Sequence, residues 1–389
     1  MRRHALLLFV TMFAACLAWL AAPAPARALE RNFVGSAQID YHAVPLHKGG
    51  RTFPQAFDGF TMEFAGKLAV DFSDRLSANM KLCFGCHGIE ADMMYFDYRV
   101  ADELNVRVGR FSPSFGAFNL RHDPANHRLA SKPLPYDMGR MLRMREWNLG
   151  VLPSPFPDNG IEVNGTHWLG DDMQFDYAAY AVSGFKGDAG GTDLDFRLSR
   201  SPQNYYVDNN ARPTAGGRAG VLLKLGDASD VALGVSAMAG TWDPDNRFTY
   251  VIAGADLTLR LSKTTIRAEV LARRQQFGTA EPLRFKYLPS STQGDFFLKS
   301  GFYAEIEQAV TPELDLIGRF DGLARDGNVE RDSTLSSKST ALRETLGLAY
   351  ALDRGIRLKG STELWQFSDA DATGRQLELG FHFGAVGTY

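Results

Sequence analysis

Phe60-Thr61-Met62-Glu63-Phe64-Ala65-Gly66-Lys67-Leu68-Ala69-Val70-Asp71-Phe72 decides how the chain is read. Successive side chains of an extended strand point to opposite faces. Phe60, Met62, Phe64, Leu68, Val70 and Phe72 therefore share one face, and Thr61, Glu63, Ala65, Lys67 and Asp71 share the other. Soluble sandwiches and membrane barrels both alternate in this way, so the flanking sequence has to choose between them.

Working outward, segments of about ten residues with the same period recur along the whole chain. Short polar turns separate them near Ser73-Asp74-Arg75, Ala101-Asp102-Glu103, Gly170-Asp171-Asp172, 226–230, Ser262-Lys263-Thr264, Thr311-Pro312-Glu313 and Asp353-Arg354. Long loops alternate with these turns near 45–57, 112–158, 185–217, 241–247, 278–295, 326–340 and 368–374. Short turns at one end and long loops at the other are the pattern of an outer-membrane barrel, with the turns on the periplasmic side.

The segments predict about 16 strands, at 33–44, 59–72, 76–84, 89–100, 104–111, 159–169, 173–184, 218–225, 231–240, 248–261, 265–277, 296–310, 314–325, 341–352, 355–367 and 375–389. Leu257, Leu259 and Leu261 alternate with Asp256, Thr258 and Arg260. The last segment puts Leu377, Leu379, Phe381, Phe383 and the terminal Tyr389 on one face, with Glu378 and His382 opposite. Charges facing a wet lumen cost little, whereas on the lipid face they cost about 2–4 kcal/mol near the midplane. The expected fold is all-β: a transmembrane antiparallel barrel wide enough for an aqueous channel, in the outer membrane of a Gram-negative bacterium.

The N-terminus reads as a targeting segment. Arg2 and Arg3 precede an apolar run from Ala5 to Ala22, and Ala26-Arg27-Ala28 is a small-residue cleavage site. Residues 1–28 are therefore expected to be a signal peptide and 29–389 the barrel. A lipoprotein signal ending at Cys16 is the rival reading. Removing 28 of the 389 residues leaves 361, and losing Arg2, Arg3 and Arg27 takes the formal charge from −3 to −6. Nothing in that balance points to nucleic acid. No nucleophile triad, phosphate loop or paired carboxylate motif stands out, so no enzyme is expected. Membrane lipid and small solutes are the expected partners.

The loop after the fifth strand exceeds forty residues, and a loop of that length is uncommon without a role. Inside a barrel that role is to fold into the lumen and narrow it. Arg121, Arg128, Lys132, Arg140, Arg143 and Arg145 outnumber Asp123, Asp137 and Glu146 there. Two readings stand. A basic constriction would concentrate anions. Alternatively, these cations pair with lumen carboxylates such as Glu63, Asp71 and Asp97 and hold the loop in place.

Gly109-Arg110-Phe111, followed by Phe115-Gly116, opens this loop directly after a strand. A Gly-Arg-Phe-x-x-x-Phe-Gly stretch leading into a long third loop resembles the phosphate-selective porin family. The resemblance covers most of the chain by architecture and residues 109–116 by motif. It implies sixteen strands, a homotrimer and passive diffusion of small solutes. The family's lysine and arginine ladders are not matched residue by residue, so selection of anions would rest on the loop's own charges.

Cys83-Phe84-Gly85-Cys86-His87 carries the other chemistry, and after the expected cleavage it holds both cysteines of the chain. C-x-x-C-H is the attachment pattern of a c-type haem: two thiols add to the vinyl groups and the imidazole of His87 binds iron. Met93, Met94, His122 and His127 are the candidate distal ligands. The segment resembles that of porin–cytochrome fusions, which pass electrons across outer membranes; those proteins place it in a small domain before the barrel, and here it interrupts the barrel at a hairpin tip facing outward. A disulfide closing a short ring at the tip is the second reading. A soft metal ion on the thiolates and His87 is the third, with an incomplete ligand set.

Overall fold

The computed structural model describes residues 30–45, 59–85, 88–138, 140–201, 203–287, 296–371 and 373–388. The expected signal peptide, most of the 45–57 loop, Cys86, His87 and Tyr389 lie outside them.

Sixteen strands follow one another: β1 (Glu30–Ala43), β2 (Gly59–Asp71), β3 (Leu76–Gly85), β4 (Gly88–Ala101), β5 (Leu104–Phe111), β6 (Asp158–Leu169), β7 (Met173–Val182), β8 (Thr214–Gly226), β9 (Ser229–Thr241), β10 (Thr249–Leu261), β11 (Thr264–Gln276), β12 (Phe296–Ala309), β13 (Leu314–Asp326), β14 (Lys338–Asp353), β15 (Ile356–Phe367) and β16 (Leu377–Thr388). Each pairs with the next, and β1 closes on β16 with Ser36 opposite Thr388 and Ala43 opposite Phe381. Closure satisfies every strand's backbone without an edge, which is what hydrocarbon demands. The expected sixteen-stranded barrel is borne out. The strand expected at 218–225 runs from Thr214 instead. Gly216 and Gly217 weaken its strand pattern, yet the bare backbone at Gly216 makes room for the Tyr180 ring.

The alternation is sorted inside out relative to a soluble protein. Phe60, Met62, Ile89, Leu346 and Leu348 are exposed on the outer wall. Arg273, Asp321, Arg343 and Glu363 are buried on the inner wall. Leu346 is 74% exposed while Asp321, one strand away, is 0% exposed. No helix of the described residues is long and apolar enough to cross a membrane; the crossing elements are strands. Glu344 breaks the pattern: it is exposed on the outer wall of β14, between Phe320 of β13 and Leu364 of β15.

Candidate functional site

The loop 112–157 leaves the end of β5 and fills part of the lumen. Its apolar residues, Phe115, Phe118, Leu134, Tyr136, Leu142, Trp147 and Leu152, are buried together. The turn into it explains the motif. Gly109 has φ +132, and a side chain there would strike the backbone of Met94 and Tyr95. Gly116 has φ +63 and sits against Glu269 and the Tyr136 hydroxyl with no room for a Cβ. Phe111 and Phe115 on either side of the turn are 0% exposed.

The wall holds the loop by its backbone. Glu269 of β11 accepts from the amides of Ala117 (3.1 Å) and Phe118 (3.3 Å) and from the Tyr136 hydroxyl. Asp321 of β13 accepts from Leu134 N at 3.0 Å. Arg319 donates to Ser131 O (3.0 Å), Arg343 to Lys132 O (2.6 Å), Lys359 to Pro124 O (2.6 Å), Lys299 to Leu149 O (2.6 Å) and Arg273 to Val151 O (3.1 Å). A loop with little regular structure inside a lumen needs partners for its backbone groups, and charged inner-wall side chains supply them.

On the opposite side, Lys81 of β3 reaches Asp123 (2.5 Å), Asp92 (2.8 Å) and His122 Nε2 (3.0 Å), and Lys67 reaches Asp123 (2.5 Å). Burial, then the Lys81 charge, pulls the His122 pKa down to about 4. Burial alone would raise Asp123, but His122, Lys81 and Lys67 outweigh it and hold this carboxyl far below the usual range.

Among the described residues, two cavities flank the loop. One, of 600 Å³, lies between the loop and the wall formed by β1–β4 and β14–β16; Asp40, Glu63, Cys83, Glu90, His127 and Lys132 are among its lining. The other, of 430 Å³, lies toward the long loops, with Glu146, Asp195, Arg197, Arg325 and Glu330 in its wall. Arg143 and Arg200 line both.

No family model matches the chain, and no curated protein matches its sequence. Solved structures do match in shape. An anion-selective porin from Comamonas acidovorans aligns with a TM-score of 0.56 at 11% identity, over 93% of this chain and 100% of that one. The outer-membrane channel DcaP of Acinetobacter baumannii aligns at 0.54 and 10%, over 95% and 100%. OmpT, an outer-membrane protein of Vibrio cholerae, aligns in its trimer form at 0.53 and 10%, over 93% and 100%.

The fold is that of an outer-membrane porin.

Within this porin fold the six basic residues separate. Arg128 donates to Asp315 at 2.8 Å. Arg145 reaches Glu378 (3.3 Å) and the carbonyls of Asp369 (2.6 Å) and Arg375 (3.0 Å). Arg121 lies over the Phe118 ring at 5.7 Å. Lys132, whose amine donates to Ser154 O at 2.9 Å, and Arg143 face the cavities. Arg140 begins the helical turn Arg140–Met144, and its side chain lies outside the described residues. The expected wall partners are corrected: Asp315 and Glu378 hold the loop's arginines, while Asp97 pairs with Arg107 of its own wall at 2.8 Å. Strand order around the barrel sets these pairings.

Of the haem-motif residues, Cys83 faces the lumen and lines the larger cavity. Gly85 pairs with Gly88, so β3 and β4 hold the tip from both sides; Cys86 and His87 are outside the described residues. Met94, opposite Met80 and 54% exposed, is on the outer wall and turned away from any group in the lumen. Met93 is opposite Lys81. Both ring nitrogens of His122 are engaged, Nδ1 at 2.7 Å from Asn119 O and Nε2 by Lys81. His127 lines the cavity; its Nδ1 is 2.8 Å from Leu129 O and its Nε2 is buried without a partner among the described residues. Among the described residues no group of three or more His, Cys, Asp or Glu is placed to hold a metal ion.

A second loop, between β7 and β8, also folds inward, which the sequence reading did not anticipate. Phe185 stacks on Phe196 (4.3 Å between ring centres), and Phe196 meets Trp242 and Tyr250 edge-on. Asp195 takes Lys299 at 2.6 Å. The available sign was the run of aromatics, Phe185, Phe196, Tyr205 and Tyr206, in a stretch otherwise rich in Gly, Asp and Asn.

Proposed function

We propose that the chain is a channel through which small solutes, anions among them, diffuse passively across the outer membrane. The observation that carries this reading is the loop 112–157: it is tied to the inner wall yet leaves cavities of 600 and 430 Å³ that share Arg143 and Arg200. A barrel serving only as a scaffold would not need a narrowed, charged interior. Diffusion through such a site depends on width and local field; the lining mixes carboxylates such as Asp40, Glu63 and Glu90 with the cations Lys132, Arg143 and Arg200, and the anion part of the reading rests on those three cations. The reading is of a transport protein and involves no enzymatic step.

Assembly as a homotrimer fits the same reading. Glu344 on the outer wall is costly against lipid, and a neighbouring protomer would give it polar company. The trimer form of the Vibrio cholerae OmpT has the same fold.

Purified protein in planar bilayers tests the channel. Discrete conductance steps are expected, with a reversal potential in a salt gradient that favours the anion. Folded protein without conductance overturns the reading, and a cation-favouring potential removes its anion part.

A further inference from the structure

We propose that the 430 Å³ cavity toward the long loops is a binding site for a small organic carboxylate, held by the guanidiniums of Arg325 and Arg200. The inference rests on the channel reading for the supply of solute, and it names the class of solute that this outer cavity takes.

The charges of the lining are unevenly committed. Arg143, Arg197, Arg200 and Arg325 stand against Glu146, Asp195, Glu330 and Asp332. The carboxylates are already engaged. Asp195 takes Lys299 at 2.6 Å and Arg273 at 3.5 Å. Glu330 takes Arg197 and Arg284, both at 3.5 Å. Glu146 accepts from the Ser333 hydroxyl and the Thr334 amide, each at 2.7 Å, and Asp332 is also engaged. Lys299, Arg273 and Arg284 come from outside the lining, so they occupy carboxylates that its own arginines would otherwise use. Arg325 donates to Asn328 O (3.0 Å) and Arg200 to Pro155 O (2.8 Å), and neither has a carboxylate within ion-pair distance among the described residues.

Hydrogen bonding shows the same imbalance. Nε of Arg325, Nε of Arg200 and Nδ2 of Asn148 are buried in this lining without a partner among the described residues, and all three are donors. Arg325 is only 8% exposed. A buried donor without an acceptor is costly, more so on a charged group, and a guest that only accepts removes that cost. The three donors come from separate parts of the chain: β13, the helical turn Arg197–Arg200 of the β7–β8 loop, and the loop 112–157. The Arg325 guanidinium lies over the Phe297 ring at 4.9 Å and that of Arg200 over Tyr205 at 5.8 Å. These ring contacts steady both groups without using up an N–H.

The rest of the lining chooses among anions. A guanidinium presents its N–H groups as a planar fork that matches the two oxygens of a carboxylate. Leu149 and Leu194 also line the cavity, and they give an inorganic ion nothing but offer contact to a carbon body. A volume of 430 Å³ lies within the range of ~300–1,000 Å³ that takes small organic ligands. Glu146 and Glu330 keep their negative charge on the same wall, so one anionic group on the guest is favoured over two.

Calorimetric titration of the purified barrel in detergent with benzoate tests the site. Benzoate is expected to bind, and benzamide, its neutral isostere, is expected not to. Arg325→Gln is expected to weaken benzoate binding by about ten-fold or more, and Arg200→Gln to weaken it in the same direction. Lys224→Gln, at a short turn where the amine bonds Asp171 O, is expected to leave binding unchanged. A gel mobility shift on heating checks that each variant still folds as a barrel; if Arg325→Gln does not, the less buried Arg200→Gln carries the test. Equal binding of benzoate and benzamide overturns the proposal. So does parent affinity in a folded Arg325→Gln or Arg200→Gln barrel, or inorganic phosphate binding more tightly than benzoate. Conductance is read separately. A barrel that binds benzoate but passes no current keeps the site and loses the channel reading, and a conducting barrel that does not bind benzoate does the reverse.

Discussion

The two sides of the lumen are built differently. Toward β11–β15 the loop is sewn to the wall: Glu269, Arg273, Lys299, Arg319, Asp321, Arg343 and Lys359 all bond its backbone. Toward β1–β4 the ties among the described residues are fewer: the Pro124–Asn126 turn lies against β1, and a buried cluster around Lys81 bridges to the loop beside the 600 Å³ cavity. The sewn side uses charge as structure, with carboxylates and guanidiniums paired to each other and to the loop backbone. The open side leaves side chains such as Glu63, Glu90 and Lys132 facing space. A count of basic residues in the loop therefore says little about selectivity until each is placed on one side or the other.

The sharpest way to break this asymmetry is at Asp321, which is 0% exposed. It accepts from Leu134 N and pairs with Arg343 (2.5 Å) and Arg319 (3.1 Å). Asp321→Ala leaves two buried guanidiniums short of a partner, a loss on the order of 3–5 kcal/mol. Unfolding in detergent should shift by that amount, and single-channel conductance should rise as the loop detaches. Conductance that stays constant would mean that the sewn contacts do not hold the loop.

Acid should attack the other side. The His122 pKa falls from its ordinary 6.5 to about 4 in the folded chain, so the unfolded state takes up the proton first as pH drops. The stabilising contribution is complete above pH 6.5 and is lost as pH falls toward 4, up to about 3 kcal/mol in all. Asp123, held low by His122, Lys81 and Lys67, adds a loss of the same sign at still lower pH. Stability measured from pH 7 to pH 4 should decline in the parent and much less in His122→Asn; parallel curves would rule out the His122 contribution.

Gly116 tests the entry to the sewn side. With φ +63 and Glu269 against it, Gly116→Ala should cost about 1–3 kcal/mol from backbone strain and displacement of Glu269. Gly374→Ala, also at positive φ (+82) but with open space around its Cβ, should cost only the strain. Equal losses in the two variants would show that packing against Glu269 contributes nothing.

What could be read from sequence follows the same division. The strands were legible because lipid on one side and water on the other impose period two on segments such as 59–71 and 249–261. The existence of the loop was legible from its length, and its glycine turn from Gly109 and Gly116. Its partners were not: Arg128 and Asp315 are 187 positions apart, and only closure of β1 on β16 fixes which wall faces the loop. Asp97 looked suitable by charge but pairs with Arg107 of its own wall. The inward course of the β7–β8 loop was hidden because an aromatic run in a polar stretch has no periodicity to announce it.

The smallest expected effect is at Lys132, on the open side. Its amine bonds Ser154 O while facing the cavity, so Lys132→Gln keeps a donor and removes only the charge. Lys132 is half-buried and the donor is kept, so stability should change by about 0.5 kcal/mol. The field at the cavity should weaken, moving the chloride-to-potassium permeability ratio toward cations by about two-fold. Arg128→Gln supplies the contrast, since its charge is already taken by Asp315 at 2.8 Å; it should shift stability more than selectivity. If both variants moved the reversal potential equally, the division between structural and solute-facing charge would fail, and selectivity would follow the net charge of the lumen.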